Sequence, residues 1–247
     1  MKHNARTYFV QRVLPSYETF VNYYNSREFG LHKDTFNAGN IAESLLDIPE
    51  QIFSEIGTMT GYENAGKFLK SISDNNRSYR IVCDLANVTK HREIDRRNPS
   101  FTSLDDMKEY IAIVRYEDIL GQYYRTRKLL EVKLLDGSVC YISELLHKSL
   151  ILWSNQLINL GLIPDMPKLP ELLPNFAKRK DNRFDNKIRI LGNVGEYGED
   201  QFRTMIFRKG KNIITECAPG EKFGIADVNV IAEIGESPFG KKDNPSI

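Results

Sequence analysis

Asn87 and His91 stand four residues apart in the stretch "RIVCDLANVTKHREIDRR", residues 80 to 97. On a helix that spacing sets both side chains on one face, one turn apart, in a line that also takes in Arg80 and Asp84. An imidazole near neutral pH serves as a general acid or base, and an amide beside it can orient a ribose or a phosphate. Arg80, Lys90, Arg92, Arg96 and Arg97 supply cations for phosphate contact. The catalytic candidates are therefore His91 and Asn87, with the five cations as RNA or phosphate contacts. The plainer alternative is structural: the stripe is a solvated edge, or Asn87 and His91 satisfy buried backbone groups and anchor a loop.

The elements that must hold this stripe follow from periodicity. Residues 79 to 93 read as a helix buried around most of its circumference, because Ile81, Val82, Leu85 and Val88 oppose the polar line. Three helices precede it. Tyr17, Phe20, Val21 and Tyr24 recur at helical spacing between Ser16 and Arg27. Ala38, Ile41, Ala42, Leu45 and Leu46 mark a second helix from about Asp34, kinked at Pro49 and closed at Gly57, and Ala65, Phe68, Leu69 and Ile72 a third. "SDNNRS" reads as a loop. Beyond residue 98 the pattern turns to alternation in "YIAIVRYE" and "KLLEVKLLDGSVCYI", with Asp136-Gly137 placed for a two-residue hairpin turn. Ser143 is positioned to cap a helix whose stripe runs through Leu146, Leu150, Trp153, Leu157 and Leu160 to Gly161. His147, on that helix, has no evident chemical partner in the sequence.

The stripe carries a resemblance. A helical core whose late helix bears a polar residue, three spacers and a histidine resembles the HEPN superfamily, helical domains often met as metal-independent RNases in toxin–antitoxin, abortive-infection and CRISPR systems. Asn87 and His91 match the polar and histidine positions of that motif. "DLANVTKH", followed by a strand hairpin with "LDG" and a Trp-bearing helix, is similar to a group of bacterial proteins, and the likeness covers roughly residues 15 to 160. It implies a helical bundle, a link to defence or mobile elements and an antiparallel homodimer. The departure is Ala86, which stands where the motif carries an arginine. Loss of one such electrostatic group typically slows a reaction by about two to three orders of magnitude.

Composition narrows the classes. Lys and Arg number 34 against 33 Asp and Glu, so no global field draws the chain onto nucleic acid or membrane, and any basic surface is local. No run of eighteen apolar residues and no signal-like start occurs, which makes the cytoplasm the expected compartment, without a membrane partner. Cys83, Cys140 and Cys217 are far apart and lack CxxC spacing, so neither a disulfide framework nor a zinc knuckle is suggested. His3, His32 and His147 have no partners at metal-ligand spacing, and neither a metal nor a cofactor is expected. "GNVGEYGED" fits neither a P-loop nor a dinucleotide fingerprint and reads as a hairpin tip.

The sequence thus predicts an α+β protein. A mainly helical HEPN-like domain spans 1–163 with a β-hairpin at about 110–142. A proline-rich, charged linker follows over 164–186, including the basic cluster Lys178 to Arg183. A small β-rich unit occupies 187–236 in the strands "KIRILG", "FRTMIFRKG", "KNIITECA" and "DVNVIAEI", and 237–247 is a tail. The expected function is a non-catalytic nucleotide- or RNA-associated module. Two others stand beside it: a metal-independent endoribonuclease using His91, and a structural or protein-interaction subunit whose β-rich unit is the contact surface.

Overall fold

The computed structural model describes residues 4–26, 28–91, 98–118, 121–170, 172, 187–191, 201–208, 213–217 and 231–235. Its architecture is mixed α+β, with helices in the N-terminal part and strands later. The chain gathers into two compact units, both discontinuous in sequence. The first comprises residues 1–26, 31–109 and 129–178, the second 27–30, 110–128 and 179–247. These bounds differ from the expected break after residue 163. The reason is strand pairing: the outer half of the central hairpin bonds to C-terminal strands and is grouped with them. Most of the expected linker, its Lys178 to Arg183 cluster, the "GNVGEYGED" loop and the 237–247 tail lie outside the described residues.

In the first unit, α1 (Ala5–Tyr8) runs through a π-helical turn (Phe9–Val13) into α2 (Leu14–Tyr24). Pro15 sits in the first turn of α2 and has no N–H to donate back along the helix, which fits a widened turn just before it. Tyr17, Phe20, Val21 and Tyr24 are buried, as their spacing requires. α3 (Leu31–Leu46) and α4 (Ile48–Ile56) replace the kinked second helix, and Gly57 ends α4 at φ +53°. α5 spans Ala65–Asn75, capped by Asn64, whose side chain accepts from the Lys67 N–H at 2.8 Å. The expected loop "SDNNRS" is reduced to Asn76, because α6 (Arg77–His91) begins at once. α3 crosses α6 so closely that a Cβ on Gly39 would lie 2.7 to 2.9 Å from Thr89.

α7 (Ile142–Asn159) buries Leu146, Leu150, Trp153 and Leu157. Trp153 meets the rings of Tyr79 and Phe68 edge-on, with centroids 5.3 and 6.0 Å away. Gly161, at φ +70°, closes the helix in a Schellman turn: Leu162 N–H donates to the Leu157 carbonyl and Gly161 N–H to Ile158. Ser143 is not the cap. The helix starts one residue earlier, and the Ser143 hydroxyl instead donates to the Tyr24 hydroxyl at 3.2 Å.

The hairpin strands β2 (Met107–Asp118) and β3 (Gly121–Lys133) pass through both units. In the first unit the end of β3 pairs with β4 (Val139–Tyr141) in the register Lys133↔Val139. Their loop has three residues rather than two: Leu134 closes against Ser138, and Gly137 N–H donates to the Leu134 carbonyl at 2.9 Å. Gly137 takes φ +82°, the left-handed residue that a three-residue loop requires after its turn. In the second unit β2 pairs in parallel with β6 (Phe202–Arg208), which pairs antiparallel with β7 (Ile213–Glu216). A separate parallel sheet has the order β1 (Glu28–Phe29), β5 (Lys187–Leu191), β8 (Ile231–Gly235). Phe29, Ile111 and Ile190 form the apolar contact between the two sheets of this unit. All four C-terminal strands read from the sequence are present; they join pre-existing strands instead of forming a sheet of their own.

Candidate functional site

α6 is amphipathic in an uneven way, and the stripe divides along its length. Asp84 is fully buried, and its carboxylate accepts from the Ser100 N–H at 2.8 Å. One turn earlier Arg80 donates to the Asn98 carbonyl at 3.0 Å. Asn98 has φ +56°, a left-handed conformation that asparagine tolerates better than most residues. The first half of the stripe therefore anchors the 98–100 segment, which is the structural alternative realised at these two positions. Asn87 is half-buried and spends its amide N–H on the Cys83 carbonyl of its own helix, at 2.7 Å. Lys90 and His91 are exposed at the helix end. Arg92, Arg96 and Arg97 lie outside the described residues.

Two members of the stripe, Arg80 and Asn87, face a cleft of about 710 Å³ formed by α4, α5, α6 and the α3–α4 junction, all within the first unit. Arg80, Asn87 and Lys90 form its α6 wall; Asp47 and Glu50 stand on the α3–α4 side, and Lys70 and Asp74 come from α5. His91 is not among the residues that wall it. Formal charge in the cleft is balanced, so it selects a ligand by placement of groups rather than by net field. Lys70 and Asp74 pair with each other along α5. Lys90 forms no ion pair among the described residues, which leaves its ammonium available to a ligand. Asp47 accepts from the Tyr8 hydroxyl at 3.2 Å. Burial, and then the Asp47 charge, push the Tyr8 pKa well above its ordinary value, so Tyr8 remains a donor that holds the carboxylate in place.

Asp47, Glu50 and Lys70 were not legible as site residues. The segment around Pro49 reads as a kink, and only the fold turns its two carboxylates toward α6. A groove of about 410 Å³ continues from the cleft, sharing Ser73, Asp74 and Arg80, to the β3–β4 loop. There Arg77 donates to Asp136 at 2.7 Å and to the Ser138 hydroxyl at 2.9 Å.

No family model, curated protein or solved structure matches the chain. The site is therefore read from its own chemistry. Among the described residues no group of three His, Cys, Asp or Glu side chains could hold a metal ion, and no helix is long and apolar enough to cross a membrane. Ala86 is 1% exposed in the helical core, so the position before Asn87 points away from the cleft and a cation there would be buried. His147 has a partner after all: its Nδ1 lies 2.6 Å from the Tyr17 hydroxyl, which joins α7 to α2 inside the core. Burial lowers the His147 pKa and raises that of Tyr17, so the pair stays neutral with Tyr17 donating.

Proposed function

We propose that the first unit is a HEPN-like helical bundle acting as a non-catalytic nucleotide-binding module, with the α4–α5–α6 cleft as its site. The observation that carries this reading is the meeting of Lys90, Arg80 and Asn87 on one wall with Asp47 and Glu50 opposite. The two cations suit phosphate oxygens, and the carboxylates accept from ribose hydroxyls or base N–H groups. The cleft volume falls within the range of small-molecule and cofactor sites. Binding without cleavage is favoured because His91 is off the cleft walls and residue 86 brings no cation to the site.

Calorimetric titration with a panel of ribonucleoside mono-, di- and triphosphates tests the proposal. At least one binds the wild type, and Lys90→Ala weakens it about tenfold, the loss of one charge-assisted contact of roughly 1.4 kcal/mol. Absence of binding across the panel, or affinity unchanged in Lys90→Ala, overturns it. Incubation of the protein with RNA in EDTA yields no new ends; cleavage by the wild type that disappears in His91→Ala would transfer the site to the endoribonuclease reading.

A further inference from the structure

The cleft beside α6 runs on into the groove at the β3–β4 loop, and the two share Ser73, Asp74 and Arg80. Both lie wholly within the first unit. At about 710 and 410 Å³, each compartment by itself falls within the range of small-molecule sites. A mononucleotide in the cleft therefore leaves the groove unused.

The two compartments are alike in make-up. In the cleft, Leu46, Pro49 and Leu69 give an apolar wall, and Asp47 and Glu50 bring carboxylates. In the groove, Pro99, Leu134 and Leu135 are the apolar part and Asp136 is a carboxylate. Leu135 is 64% exposed, a large apolar side chain left open to solvent. Hydrogen bonds from the Ser138 hydroxyl and N–H hold the Asp136 pKa down, so it stays an acceptor. A nucleobase suits this pairing, with its ring on the apolar wall and its N–H groups on the carboxylate. Arg80 stands where the compartments join. Its guanidinium donates to the Asn98 carbonyl at 3.0 Å and forms no ion pair among the described residues, which leaves further N–H groups for an anion. Arg77, by contrast, is engaged by Asp136 and Ser138. Lys90 lies further along α6 than Arg80 by about 15 Å of helical rise, which suits a ligand with two separated anionic groups.

We propose that the ligand of this site is a dinucleotide, two nucleosides joined through phosphate: one nucleoside in the cleft with its own phosphate on Lys90, the linking phosphate on Arg80, and the second nucleoside in the groove against Leu135 and Asp136. The inference rests on the nucleotide-binding reading of the cleft and extends it. A triphosphate tail is a poorer occupant of the groove, since Asp74 and Asp136 would repel it and Leu135 would go unused.

Calorimetric titration of the full chain compares the 5′-mononucleotides of adenine, cytosine, guanine and uracil with the corresponding 5′-phosphorylated, 3′,5′-linked homodinucleotides, and with diadenosine pyrophosphate as the second kind of linkage. At least one dinucleotide binds about tenfold tighter than its mononucleotide. A gain with the phosphodiester assigns the ligand to RNA fragments, and a gain with the pyrophosphate assigns it to dinucleotides of the cofactor type. Leu135→Glu sets a further carboxylate in the groove and brings the ratio of the two affinities down to about one. Circular dichroism melting verifies that this variant folds. Equal affinity of the wild type for mononucleotide and dinucleotide overturns the proposal while leaving mononucleotide binding in the cleft intact. A ratio in Leu135→Glu equal to that of the wild type overturns it as well. No binding of either class overturns the cleft reading and the dinucleotide together.

Discussion

Gly39→Ala tests the closest helix crossing in the fold. The added Cβ would sit 2.7 Å from Thr89 Cγ2, 2.8 Å from its Cβ and 2.9 Å from its Oγ1. Carbon atoms in contact prefer about 3.5–4.0 Å, so α3 and α6 must part by nearly 1 Å. Thr89 cannot swing aside cheaply, because its hydroxyl donates to Leu85 at 2.9 Å and Ala86 at 3.1 Å, and its branched Cβ restricts rotation. Overpacking costs about 1–3 kcal/mol, here toward the upper end, while alanine in a helix regains about 1 kcal/mol over glycine. The net loss is about 2 kcal/mol. Trp153, the single tryptophan, is packed on Tyr79 of α6, so its emission during urea unfolding reports the stability of this unit. A second substitution sharpens the test. Thr89→Ala leaves the 2.8 Å Cβ contact in place and restores little, whereas in a Thr89→Gly background Gly39→Ala is neutral or stabilising. A Gly39→Ala protein as stable as wild type would refute the packing argument.

Two further outcomes follow from the fold. His147 has a lowered pKa in the folded chain, so the unfolded chain binds its proton first: stability is full above about 6.5 and falls as pH drops through the folded value. Urea midpoints measured from pH 8 to 5 therefore decline, and His147→Gln flattens the decline; an equally steep variant would place the proton elsewhere. Gly137→Ala forces a Cβ into φ +82° at the β3–β4 loop and lowers stability by about 1 kcal/mol, read from the same Trp153 emission. An unchanged midpoint there would mean that the loop relaxes to another turn.

Periodicity made most elements legible. Tyr17, Phe20, Val21 and Tyr24 are buried as their spacing demands, and the strands around Ile188, Met205, Ile214 and Ala232 lie where alternation put them. What the sequence left hidden is non-local. Nothing in Glu28-Phe29 announces a strand, since two residues carry no alternation; they are ordered by pairing with Arg189 and Ile190. Local chemistry also misled in small ways: Ser143 has the right type for a cap but turns to Tyr24, and Asn76 alone divides two helices. The stripe on α6 was visible as a line of polar residues. Its division into the buried anchor Asp84 and the cleft wall at Arg80, Asn87 and Lys90 depends on which neighbours cover each turn. His147 looked isolated because its partner is 130 residues away.

The parallel pairing of β1 with β5 and of β5 with β8 has a consequence for synthesis on the ribosome. Phe29 emerges early, yet the strand that orders it is not made until residue 187 and the next not until residue 231. The second unit therefore has no complete sheet while the chain is growing, and the helices on either side of Phe29 must form first around an unpaired apolar segment. Closing such distant contacts is slow. Any nascent chain stalled before residue 187 would present Phe29, and the unmatched edge of β2, to whatever chaperone or neighbouring chain is at hand.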